Sequence, residues 1–135
     1  MLSSEILEEQ FGPTRLVVLK QNKKLRIIET VTKDSEQILE LSMVTFDKQN
    51  IHTFPEVHKE ILAGQSMGMA YKNAGIRFIR EITSTIHAQL PLELESEFNQ
   101  KGLATIVEVD IFVGEQKAHY CHILEIYSPA VTWPE

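Results

Sequence analysis

Three β-rich runs, separated by turns of only three or four polar residues, occupy the early part of the chain and leave few folds open to it. Arg15–Lys20 (RLVVLK) is apolar and β-branched, Gln21–Lys24 is a polar turn, and Leu25–Thr32 (LRIIETVT) resumes the pattern. Lys33-Asp34-Ser35 makes the next turn before Gln37–Phe46 (QILELSMVTF). Turns this short join antiparallel neighbours, because parallel strands need a crossover of a dozen or more residues. The same signature closes the chain, with Ala104–Val113, a Gly114-Glu115 turn and Lys117–Tyr127.

Between these hairpins the period changes. Thr53 precedes FPEVHKEILAG, where Phe54, Val57, Ile61 and Leu62 fall at helical spacing. Pro55 suits a first turn and Gly64 a stop. Ser66–Asn73 predicts a second short helix closed by Gly75, Ile76–Thr85 a strand, and Leu92–Gln100 a third helix closed by Lys101-Gly102. The order β-β-β-α-α-β-α-β-β contains no repeat and no low-complexity stretch. One α+β domain over residues 1–135 is expected, with an antiparallel sheet of about six strands and short helices on one side. Several short helices in place of one long central helix argue against hot-dog and cystatin-like arrangements.

At 135 residues and 43% hydrophobic content, the chain can bury a real core and enclose a small cavity. Its 13 Lys plus Arg against 19 Asp plus Glu give a net charge of -6, which argues against a nucleic-acid partner. The single Cys121 excludes an internal disulfide, and no paired Cys/His spacing suggests zinc. MLSSEILEEQF lacks the basic and apolar regions of a secretory signal, and no apolar run approaches the roughly 18 residues of a membrane span. A soluble cytoplasmic protein with no membrane partner and no bound metal is expected.

Strand alternation separates the faces, since residues two apart point the same way. Phe78, Arg80 and Ile82 share a face in the fourth strand. His119, Cys121, Ile123, Glu125 and Tyr127 share one in the last, and Leu25, Ile27, Glu29 and Val31 in the second. Arg80, Glu125 and Glu29 each sit among apolar neighbours, and a charge on a buried face must be paired or serve a ligand. Two readings stay open: a plain ion pair of Arg80 with Glu125 or Glu29, or a carboxylate-binding arginine facing a catalytic or orienting glutamate in a cavity. Gly68, between Met67 and Met69, offers a close-approach site. His119 and His122, three apart on a strand, are expected on opposite faces. His52 and His58, on a loop and a helix, are expected to be solvated, and Cys121 reads as a small core residue.

From Leu25 onward the sequence resembles the chorismate lyase (chorismate pyruvate-lyase) family and its small relatives. The likeness rests on RIIETVTKDSEQILELSMVTF, on FPEVHKEILAGQSMGMAYKNAGIRFIREI with its Arg80-Glu81 pair, and on the terminal CHILEIYSP, which puts Glu125 on the family's active-site glutamate. The resemblance implies a six-stranded antiparallel sheet with helices on one side. It also implies elimination of pyruvate from chorismate to give 4-hydroxybenzoate, with no metal or organic cofactor. On that reading Glu125 is the catalytic group and Arg80 clamps a carboxylate or holds Glu125; Gly68 lets a helix turn approach the ligand, and Glu29 is a further ligand-binding candidate. The family's strand arginines correspond here to Ile27 and Ser42, with Arg26 one residue out of register and so expected on the wrong face. Met69 stands where an arginine follows the turn glycine. Two other functions compete with the lyase: a non-catalytic domain that binds a small carboxylate or aromatic ligand, and a structural protein with a vestigial cavity.

Overall fold

The computed structural model describes residues 3–134; of the 1–135 domain expected from sequence, residues 1, 2 and 135 lie outside the described range. Six strands form one sheet: β1 (Thr14–Gln21), β2 (Leu25–Thr32), β3 (Ile38–Phe46), β4 (Phe78–Gln89), β5 (Leu103–Val113) and β6 (Ala118–Tyr127). Four short helices accompany them: α1 (Ser3–Phe11), α2 (Pro55–Leu62), α3 (Met67–Asn73) and α4 (Leu92–Phe98). The strand order is β1-β2-β3-β6-β5-β4, and every neighbouring pair is antiparallel. This is the α+β antiparallel architecture that the short turns dictate.

Register assigns the faces. Ser42 pairs with Ile28 on one side and Glu125 on the other, Val44 with Arg26 and Ile123, and Glu125 also with Val107. One face therefore carries Arg26, Ile28 and Thr30 of β2, Glu40, Ser42 and Val44 of β3, Ile123 and Glu125 of β6, Val107, Val109 and Ile111 of β5, and Phe78 and Arg80 of β4. α2 and α3 cover it, burying Val57, Ile61, Met67, Ala70 and Tyr71 against Val44, Phe46, Ile111 and Tyr120. Leu7 of α1 joins the same core.

α1 is an element that the sequence reading did not assign. Its nine residues span fewer than three turns, and Ile6 and Leu7 are all that it fully buries, too short a stripe for periodicity to register. α4 packs on the opposite face. Phe98 and Leu94 meet Leu41 and Ile126 there, and both of those residues point away from the Ser42–Glu125 side. The helices thus divide three to one between the two faces, with α4 covering a short strip that includes Ile38 and Leu41 of β3 and Ile126 of β6. α4 ends at Asn99, in the left-handed region at φ 52°, rather than at Gly102. β4 also runs to Gln89, four residues beyond its expected end, because it pairs with β5 all the way to Leu103.

A bulge in β6 overturns one expectation about the histidines. Ile111 pairs with Cys121 but Phe112 with His119, leaving Tyr120 as an extra residue. The bulge turns His119 to the same side as His122. Both rings contact Asp110, His119 Nε2 at 2.9 Å and His122 Nδ1 at 3.2 Å, while His119 Nδ1 meets Asp47 at 3.0 Å. His58 is likewise buried rather than solvated. It lies edge-on to Phe46 and within 2.5 Å of the Tyr120 hydroxyl, and burial, followed by the charge of His52, holds its pKa below the usual histidine value.

Candidate functional site

The helix-covered face is not packed solid. A chamber of about 80 Å³ lies over it, roofed by Ser3 and Ser4 of α1 and by Ser66, Met67 and Gly68 at the start of α3. Its floor is the sheet, where Arg26, Thr30, Glu40, Ser42, Arg80 and Glu125 line it among apolar residues such as Ile28, Val44 and Ile123. Two guanidiniums and two carboxyls on one buried face need compensation, and they receive it unequally.

Arg80 starts on the edge strand and crosses β5 to reach β6. It donates from Nη1 to Glu125 Oε2 and from Nη2 to Oε1, both at 2.6 Å. In register Arg80 opposes Ile111 of β5 and Glu125 opposes Val107 of the same strand, so the pair spans that strand on the diagonal. Tyr127 donates its hydroxyl to Glu125 Oε1 at 2.8 Å, so three of the carboxylate's acceptor positions are filled. Both partners are nearly sealed, with side chains 10% and 3% exposed. Desolvation works against the Arg80 charge, but the hydrogen bonds and charge of Glu125 outweigh it and hold the guanidinium above its ordinary pKa.

Glu40 and Arg26 lack such partners. Glu40 is 2% exposed and accepts from Ser42 Oγ at 2.7 Å. Burial, and then the charge of Glu125, push its carboxyl up to about 8, against smaller opposing effects of Ser42, Arg80 and Thr30. Arg26 is fully buried. Among the described residues its Nε and Nη1 have no hydrogen-bond partner, and Nη2 reaches only the Gln65 carbonyl at 3.4 Å. Burial pulls its pKa below the ordinary arginine value.

Of the residues singled out in the sequence, Arg80, Glu125 and Gly68 come together at this chamber. Glu29 does not. It pairs with Leu41 and points to the other face, where burial, and then Glu97, push its carboxyl up. Arg26 reverses the register expectation, because the cavity side of β2 is Arg26-Ile28-Thr30 and not Leu25-Ile27-Glu29. Each parity of that strand contains one charge among apolar residues, so alternation alone could not choose between them; the pairing of Arg26 with Val44 does. Glu40 and Ser42 follow from the same register. Met69, in place of a family arginine, is 40% exposed and lies outside the lining. No group of three or more His, Cys, Asp or Glu side chains among the described residues is arranged to hold a metal ion.

No protein-family model and no curated protein matches the sequence. Solved structures do match. YydK, a possible transcriptional regulator from Bacillus subtilis, superimposes with a TM-score of 0.64 at 14% identity, over 100% of this chain and 67% of that one. The ligand-binding domain of a proposed GntR-family transcriptional regulator from Bordetella bronchiseptica gives 0.54 at 8% identity, covering 90% of each chain. The C-terminal domain of the histidine utilization repressor from Pseudomonas syringae gives 0.53 at 6% identity, over 91% of this chain and 96% of that one. The chain thus shares the fold of these regulator domains, one of which is described as the ligand-binding domain of a GntR-family regulator. The fold part of the chorismate-lyase resemblance stands; these neighbours are regulators, and they lend its enzymatic part no support.

Proposed function

We propose that this domain binds a small anionic molecule without transforming it, as the sensing part of a regulator. The observation that carries this reading is Arg26: a guanidinium fully buried at a chamber, with two of its three nitrogens unpartnered among the described residues. Such a group destabilises the empty protein by several kcal/mol and is compensated once an oxyanion or carboxylate docks on it. The regulator neighbours support the same reading, since one of them is described as a ligand-binding domain.

The lyase reading fits this geometry less well. Glu125 is committed to Arg80 and Tyr127, which leaves it a structural carboxylate rather than a free acid or base. The chamber is also about half the volume of the ~150 Å³ engineered cavity that holds benzene, which favours a ligand smaller than chorismate. Titration calorimetry with sulfate, acetate and malonate tests the proposal, with Arg26→Met as the control. Binding to the wild type that vanishes in Arg26→Met is expected, together with no pyruvate release on incubation with chorismate. Anion binding untouched by Arg26→Met, or catalytic release of pyruvate, would overturn it.

A further inference from the structure

The floor of the chamber holds two carboxyls and two guanidiniums, yet only Arg80 and Glu125 pair among the described residues. Arg80 spends both terminal nitrogens on Glu125. Glu40, which lies next to Tyr127 in register and lines the same space, is hydrogen-bonded by the hydroxyls of Ser42 and Thr30 and by no cation among the described residues. Arg26 does not reach it, although both side chains line the chamber. On β2, Arg26 opposes Val44 and Thr30 opposes Glu40, a separation of four residues, or about 13 Å along the strand. The chamber is therefore bipolar, with a bare cation at one end and a carboxyl lacking a cation at the other.

We infer that Glu40 is a neutral hydrogen-bond donor to the ligand, so that the site selects oxyanions or carboxylates offering a further acceptor and rejects molecules that place an ammonium there. This rests on the anion-binding reading above and goes further by assigning the second polar contact and its protonation state. A carboxyl that shares a buried face with Glu125 and holds no counter-cation keeps its proton at neutral pH. The charged and titratable groups facing it are Arg26 from β2, Arg80 from β4, and Glu125 and Tyr127 from β6; α1 and α3 contribute only Ser3, Ser4, Ser66, Met67 and Gly68 to the chamber. An ionised Glu40 would repel the incoming anion and withdraw the donor. A protonated one removes that repulsion and supplies a hydrogen bond.

Sulfate is the probe, because it stays a dianion with acceptors only throughout the working range, so any pH dependence belongs to the protein. Its dissociation constant is measured by calorimetry from pH 6 to pH 9.5 at constant ionic strength, for wild type, Glu40→Gln, Glu40→Leu and Arg26→Met. Wild-type affinity should fall about tenfold as pH rises through about 8, the loss of one hydrogen bond plus the gained repulsion. Glu40→Gln, an isostere of the protonated acid, should keep the pH 6 affinity within about threefold and flatten the profile. Glu40→Leu should weaken binding about tenfold at pH 6. A flat wild-type profile, or a tenfold loss in Glu40→Gln at pH 6, would overturn the role of Glu40. If Arg26→Met still abolished binding in that case, the anion site would stand without it, whereas sulfate binding that ignores Arg26→Met sinks the anion site itself. Carbon-13 NMR of labelled glutamate side chains in the unmutated protein gives a second readout: Glu40 ionised at pH 6 would also overturn the assignment.

Discussion

Burying a guanidinium without a carboxylate opposes folding unless something compensates, and the two arginines on the cavity face stand on opposite sides of that rule. Arg80 is fully answered by Glu125. Replacing Glu125 by Gln leaves Arg80 sealed and uncompensated, so a loss of about 3–5 kcal/mol is expected in chemical denaturation. The double variant Arg80→Met/Glu125→Leu should lose less than either single change, because it removes both charges together. A second residue-scale expectation concerns His119. Desolvation lowers its pKa, but the hydrogen bonds and charges of Asp47 and Asp110 outweigh this and hold it above the usual histidine value. Its stabilising contribution is therefore complete below the unfolded value near 6.5 and is lost as pH rises through the folded value. Asp47 and Asp110, both held low chiefly by their hydrogen bonds to His119, contribute above the unfolded value near 3.8 and lose that contribution in acid. His119→Gln should flatten stability between pH 6 and pH 8, as followed by urea melts. An unchanged slope would mean that the cluster is solvated and idle.

Among the elements, the closing hairpin shows how far local chemistry reaches. Gly114 ends β5 at φ +79°, and a Cβ built there would sit 2.9 Å from the Phe54 ring at the start of α2. Gly114→Ala should cost about 1–3 kcal/mol through the left-handed backbone alone, and more where Phe54 cannot move aside. The turn chemistry, the helix over Pro55–Leu62 and all six strands were legible in the sequence, because short polar turns and β-branched runs are local signals. What was not legible depended on partners. The parity of β2 needed its pairing with β3, and the orientation of His119 needed the bulge at Tyr120. The placement of α4 on the far face needed Leu41 and Ile126 to be known as neighbours. Arg80 and Glu125 were found because each lies among apolar residues in its own strand. Arg26 meets the same criterion, but family register puts it on the wrong face, and Glu40 stands between Leu39 and Leu41, where nothing local says which face it takes.

The whole molecule combines a sealed pair that fixes the sheet with an unsealed charge that weakens it. The described residues contain no helix long and apolar enough to cross a membrane. A domain that keeps Arg26 buried and bare gives up stability when empty and recovers it on binding, which is the trade expected of a binding site rather than of a core. Glu40 adds a pH signature to the empty protein. Between its unfolded value of 4.5 and about 8 the folded state holds the extra proton, so stability falls as pH rises through that window, and Glu40→Gln should remove the decline. The most direct test of the central claim is the denaturation free energy of Arg26→Met against wild type, with and without saturating sulfate. Arg26→Met should be more stable than wild type by about 1 kcal/mol or more without sulfate, and sulfate should stabilise only the wild type. A variant that is less stable when empty, yet still stabilised by sulfate to the wild-type extent, would contradict the account.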